Sequence, residues 1–164
     1  MSGPSISRGY RGLPDATHEG WLATGDLGFV DGGELFVTGR LKDLVNVHGI
    51  KYHPEDLEPV VVAIAGVRRC CIVGEGETNE RMAVIAETRE GREQFSALRG
   101  VIRDRLVRLL GIGEISVYLV KPRTVLMTSS GKMRRQLMRR LLESGRITDL
   151  ETETAEQEVA SPVS

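Results

Sequence analysis

Three short stretches carry the residue types that polar chemistry needs. Thr24-Gly25-Asp26 puts a carboxylate beside a glycine at a break in an apolar run, where another molecule can approach the backbone closely. A carboxylate there can accept hydrogen bonds from sugar hydroxyls, or simply stabilise its own turn. The stretch Thr38–Gly49 packs Arg40, Lys42 and Asp43 between two apolar runs and stops at a glycine. Unpaired buried charge is expensive, so this is not one buried strand. It is either the polar turn of a hairpin or a junction between two structural units. In the second case Arg40 is available to hydroxyls or phosphate, and Lys42 governs the backbone pivot. Thr128-Ser129-Ser130-Gly131-Lys132 sets hydroxyls and a flexible glycine ahead of a periodic apolar run. A phosphate-binding terminus with Lys132 as a mobile point charge suits it, and so does a capping loop with a solvated lysine. Its spacing is not that of a P-loop.

The elements that must position these residues are legible from periodicity and breakers. Residues 1–20 are dense in Gly and Pro and read as loop. Residues 21–30 and 34–38 flank Asp31-Gly32-Gly33 and read as a hairpin, which is marginal in water by itself. Pro54, with Glu55, Asp56 and Glu58 near the positive end of the dipole, opens a helix reaching about Ala65. Residues 67–74 and 82–88 are β-branched, apolar runs and read as strands, with a polar turn over 74–80 between them. Phe95, Leu98, Ile102, Leu106 and Leu109 recur at helical spacing over 93–110, and residues 115–120 form a third strand closed by Pro122. A last helix is expected to carry Met133, Leu137, Leu141 and Leu142 on one face and to stop at Gly145. The order implies an α+β fold, a small three-stranded sheet covered by helices and preceded by the hairpin.

Composition narrows the functional classes. The chain has 164 residues, 40% of them hydrophobic but only 4% aromatic, with a net charge of -1. That balance gives no global electrostatic case for nucleic acid or an acidic membrane. Cys70 and Cys71 are neighbours in a strand and point to opposite faces, so they suit neither a mutual disulfide nor a metal site. A reduced, cytoplasmic protein is the simplest expectation. No apolar stretch reaches the length of a membrane span, and Met1–Pro4 lacks the apolar segment of a signal peptide. Residues 121–146 hold eight Lys/Arg against the single acid Glu143, a basic face suited to an acidic partner or merely to solvent. Residues 148–164, with five acids and no base, read as a disordered tail.

Read jointly, the three stretches resemble the carboxy-terminal third of an adenylate-forming enzyme, the superfamily of acyl-CoA synthetases, luciferases and peptide-synthetase adenylation domains. Gly3–Tyr10 resembles the large-domain segment that precedes the ribose-binding motif, and Trp21–Asp26 resembles that motif, implying that Asp26 holds the ribose hydroxyls of ATP. Gly39-Arg40-Leu41-Lys42-Asp43 is similar to the hinge motif, implying that Arg40 contacts the nucleotide while Lys42 and Asp43 form the pivot. Gly49 matches a glycine that borders the pantetheine channel in members using coenzyme A. Ser129–Arg135 resembles the final motif, whose catalytic lysine falls on Lys132. The wording is closest to fatty acyl-AMP ligases and long-chain acyl-CoA synthetases. It departs from them at Ala23, where an arginine is usual, and at Val125-Leu126-Met127, which replaces a basic residue.

The resemblance implies three parts: residues 1–41 as a remnant of the large domain, 42–147 as a mobile lid, and 148–164 as the acidic tail. It implies ATP-dependent activation of a fatty acid as acyl-AMP, in lipid metabolism or polyketide biosynthesis. Mg²⁺ would be held mainly by the large domain. The acyl group would pass to an acyl carrier protein, as on a polyketide synthase, or to coenzyme A. The phosphate loop, adenine segment and acyl pocket of such an enzyme are not in these residues, so the chain is not expected to complete adenylation alone. The other reading is a non-catalytic module that docks a carrier protein or a separate adenylation domain.

Overall fold

The computed structural model describes residues 17–18, 21–76 and 81–152 of the chain. The segment 3–10, most of the loop expected over 1–20, part of the 74–80 turn and residues 153–164 of the expected tail lie outside the described residues. The chain divides into two compact units, Met1–Lys42 and Asp43–Ser164.

In the first unit Thr17–His18 (β1) pairs with Trp21–Leu22 (β2), so the expected loop over 1–20 includes a short strand. Asp26–Asp31 (β3) and Glu34–Arg40 (β4) form the hairpin, with Asp26 opposite Arg40 at its open end. The register shifts between Leu27 and Gly28, and a Cβ on Gly28 would lie 2.4 Å from the Phe36 carbonyl oxygen. Only glycine lets the strands close at that bulge. Phe29 and Phe36 stack across the hairpin at 5.3 Å, yet both are exposed, as are Val30, Leu35 and Val37.

The second unit has the expected α+β architecture. Val45–Val47 (β5) and Ile50–Tyr52 (β6) pair through a turn at His48 and Gly49, whose φ values of 51° and 81° are both left-handed. Two consecutive positive φ values are what the tightest hairpin turn requires, and glycine meets that at no steric cost. Pro54–Val62 (α1), Val67–Glu75 (β7), Arg81–Thr88 (β8), Arg92–Leu110 (α2), Ile115–Val120 (β9) and Arg135–Glu143 (α3) follow. The sheet order is β7-β8-β9, antiparallel then parallel. One face packs Cys70, Ile72, Val84 and Leu119 against Leu57 and Val61 of α1 and Ile102 and Leu106 of α2. The other packs Cys71, Val73, Ala83 and Ile85 against Met138 of α3 and Val125. Burial on both faces explains why Met82–Thr88 is buried throughout and apolar through Ala86 rather than alternating. No helix among the described residues is long and apolar enough to cross a membrane.

Three expectations are corrected. Leu109 is 54% exposed, because it falls on the outer side of α2, whose last turn meets the core through Leu106 and Leu110 instead. The last helix begins at Arg135, so Met133 is outside it, bridged to Met127 instead, while Met138 is its fully buried apolar residue. The disordered tail does not begin at residue 148. Asp149 is buried and accepts hydrogen bonds from Arg99 Nη2 and Leu119 N, both at 2.9 Å, so a carboxylate that looks solvated in sequence closes the edge of the sheet.

Cys70 and Cys71 are free and buried on opposite faces, as strand alternation requires. Burial raises both thiols, Cys71 to about 12. Thiolate is the reactive form, so an aromatic disulfide reagent at neutral pH is expected to modify neither cysteine in the folded chain and both in denaturant. Rapid modification of one thiol without denaturant would contradict the packing.

Candidate functional site

The residues singled out by sequence fall into two groups, one in each unit. In the first, the β3–β4 register brings Asp26 and Arg40 together: Arg40 Nε donates to Asp26 Oδ1 at 3.1 Å. Thr24 Oγ1 accepts from Asp26 N at 3.2 Å, and Leu41 N donates to the Gly25 carbonyl at 2.8 Å, which fixes the loop carrying the carboxylate. Both side chains are partly exposed, and Asp26 Oδ2 has no partner among the described residues. Among the described residues the pair therefore presents an open carboxylate oxygen beside a guanidinium with donors to spare. That set suits a vicinal diol next to a phosphate.

The short 3-10 turn Leu41–Asp43 follows directly, and the boundary between the units falls after Lys42. Asp43 is not a free turn residue. Its Oδ1 accepts from Gln136 Nε2 of α3 at 3.0 Å. The start of the second unit is thus tied to the helix that follows the last motif.

That motif is a tight loop rather than a helix cap. Thr128 N donates to the Lys132 carbonyl at 2.8 Å, Lys132 N donates to Thr128 Oγ1 at 3.0 Å, and the Thr128 and Ser130 hydroxyls are 2.9 Å apart. Lys132 is exposed, and its ammonium makes no hydrogen bond or ion pair among the described residues. The Thr128 and Ser130 hydroxyls thus shape the loop, and Lys132 stands exposed at its end.

What holds the loop was not legible in sequence. Arg135 is buried, and its Nη2 donates to Glu58 Oε2 of α1 at 2.8 Å. Glu58 Oε1 in turn accepts from Ile72 N of β7 at 3.0 Å. Burial, the dominant cause, holds the Glu58 carboxyl above its usual range in spite of these donors. Arg135, Glu58 and Gln136 carry no periodic or motif signal that marks them as mutual partners. The same contacts correct the expected basic face. Arg135 is buried and Arg139 is committed to Glu143 Oε1 at 2.7 Å, so the eight cations of 121–146 do not form one free surface.

Gly49 lies in the β5–β6 turn with open space around its Cα. Beside it His48 Nε2 is 3.1 Å from Glu114 Oε2, and that hydrogen bond holds the Glu114 carboxyl below its usual range. Among the described residues no group of three or more His, Cys, Asp or Glu is placed to hold a metal ion.

No protein-family model matches the chain. It is similar to a 4-hydroxyphenylalkanoate adenylyltransferase of Mycobacterium tuberculosis, with 38% identity over 127 residues, which is 73% of this chain and 20% of that protein. It is also similar to the long-chain-fatty-acid–AMP ligase FadD26 of Mycobacterium marinum, with 39% identity over 127 residues, 73% of this chain and 22% of that protein. A structure from a study of fatty acyl-adenylate ligases from E. coli and L. pneumophila superposes with a TM-score of 0.75 at 28% identity. That match covers 88% of this chain and 27% of the other. The chain spans about a quarter of the length of the curated relatives it matches, between 20% and 27%.

Proposed function

The chain belongs to the adenylate-forming superfamily, as the carboxy-terminal part of one of its enzymes, and we propose on that premise that it supplies the ribose contact, hinge and mobile lysine of an ATP-dependent fatty acid ligase. In that reaction a carboxylate oxygen attacks the α-phosphorus of ATP, the bond to the pyrophosphate oxygen breaks, and acyl-AMP forms. A thiol, of a carrier protein or coenzyme A, then loses its proton, attacks the acyl carbon and expels AMP.

Each group has one part in this. Asp26, through its open oxygen, accepts the ribose hydroxyls, and Arg40 both orients that carboxylate and faces the nucleotide. Two anions must meet in the first step, so a positioned cation is the main need, and Lys132 supplies it at the reacting oxygens. Rotation about Lys42 and Asp43 brings Lys132 in for the first step and withdraws it for the second. Gly49 then borders the path of the incoming thiol. Mg²⁺ would neutralise the phosphates of bound ATP, but the described residues do not form a site for it, so its ligands are assigned to the rest of the enzyme.

The observation that carries this reading is the Gln136–Asp43 hydrogen bond. It ties the first residue of the second unit to the helix behind the lysine loop, so a rotation of the chain ahead of Asp43 would carry Lys132 with that unit. The exposed apolar hairpin supports the remainder of the proposal. A two-stranded ribbon with Phe29, Val30, Leu35, Phe36 and Val37 uncovered is marginal alone and suits burial against a larger domain.

Two measurements test it. The chain alone is expected to give no ATP–pyrophosphate exchange with a fatty acid, and exchange is expected once it is joined to or mixed with a large domain. Exchange by the chain alone would overturn the proposal. In the assembled enzyme, Asp26→Ala should raise the KM for ATP about tenfold or more, the scale of a lost charged hydrogen bond, with little change in unfolding because the pair is solvent-exposed.

A further inference from the structure

A second polar site lies at one end of the sheet, among residues to which the adenylation reading gives no role. Arg68 and Arg69 at the start of β7, Glu87 and Arg89 around the end of β8, and Pro122 and Arg123 after β9 line one pocket of about 280 Å³. Four exposed arginines and one glutamate line it, although the chain as a whole is almost neutral. None of the four arginines makes a hydrogen bond or ion pair among the described residues. One carboxylate cannot offset four arginines, and that carboxylate, Glu87, is buried and accepts from Val125 N at 2.8 Å. Like charges converging on a concavity raise the local potential and are unfavourable unless an anion sits among them.

Two backbone irregularities produce this convergence. The β7–β8 register shifts between Val67 and Arg69, so strand alternation fails where the two consecutive arginines stand, and both line the pocket. Bulges of this kind re-aim side chains. Arg123 has a φ of 76°, in the left-handed region that an arginine enters only at a cost. Glycine would relieve that cost, so what arginine contributes at this position is its guanidinium. The planar fork of arginine matches the oxygens of a phosphate better than a point charge does.

We propose that Arg68, Arg69, Arg89 and Arg123 form a binding site for a phosphate group, either of a small phosphorylated ligand or of a lipid headgroup. The site is separate from the residues proposed to act in adenylation, so its failure would leave that reading untouched.

The test uses the full chain and three probes: inorganic phosphate, vesicles of phosphatidylcholine with phosphatidic acid, and vesicles of phosphatidylcholine alone. Arg123→Gly is the informative variant, since it removes a guanidinium while easing the backbone, and unfolding should confirm that it folds at least as well. Arg69→Gln serves as the second. Saturable phosphate binding, weakened about tenfold or more in each variant, is the expected result for a small ligand. Capture only by the phosphatidic acid vesicles, lost in both variants, would assign the site to a headgroup. Absence of binding to any probe, binding equal in variants and parent, or equal capture by the uncharged vesicles would overturn the proposal.

Discussion

Replacing Lys132 by alanine in the assembled enzyme is expected to lower ATP–pyrophosphate exchange by about a hundredfold or more, the usual scale for losing one positioned charge at a developing anion. The same change should leave stability within about 0.5 kcal/mol, because the side chain is exposed and touches no partner among the described residues. The separation of the two effects is what matters. A loss of exchange accompanied by a comparable loss of stability would mean that Lys132 shapes the loop rather than the reaction. Full activity in the variant would remove Lys132 from the mechanism. Thiol transfer from preformed acyl-AMP offers an internal control. If the lysine is withdrawn before the second step, that half-reaction should be far less sensitive than the first.

Arg135→Ala is expected to destabilise the second unit by about 3–5 kcal/mol at neutral pH, the range for removing one partner of a buried ion pair. It strands Glu58, which keeps its hydrogen bond from Ile72 N but loses the cation 2.8 Å away. The pH dependence has a definite sign. Burial holds the Glu58 carboxyl above its usual range, and removing Arg135 takes away a cause that lowers it. A carboxyl raised in the folded state binds its proton more tightly there than in the unfolded chain. Its relative stabilisation is therefore present at low pH and lost as pH rises through the folded value. The defect of Arg135→Ala should accordingly shrink in urea titrations run near roughly pH 5 compared with neutral pH. A combined Glu58→Leu and Arg135→Met change should recover much of the loss, since an apolar pair of similar volume often replaces a buried ion pair without penalty. A defect of the same size at both pH values would show that packing, not stranded charge, is the cause.

Much of the element order could be read locally. Leu98, Ile102 and Leu106 at helical spacing, the β-branched runs of β7 and β8, and Pro54 at a helix start are signals that act over a few residues. Errors arose where a distant partner decides. Leu109 keeps the helical period but finds nothing to cover it, and Met133 has helical spacing yet pairs with Met127. Asp149 reads as one acid among five in a tail, and becomes structural because Arg99 and Leu119 N meet it.

The candidate site divides in the same way. The sequence alone determined the order of the polar stretches and their separation by a strand-rich segment, since residue type and spacing are properties of the chain. It thereby picked out Asp26, Arg40, Lys42, Asp43 and Lys132. Tertiary structure alone decided which of these touch. The hairpin register sets Arg40 on Asp26, α3 reaches Asp43 through Gln136, and Glu58 takes Arg135 out of the basic surface. It also gathered four arginines from three separate segments into one pocket. The physical reason is common to all of these: a charged side chain reads as solvated until the fold brings the group that pairs with it, or fails to bring one.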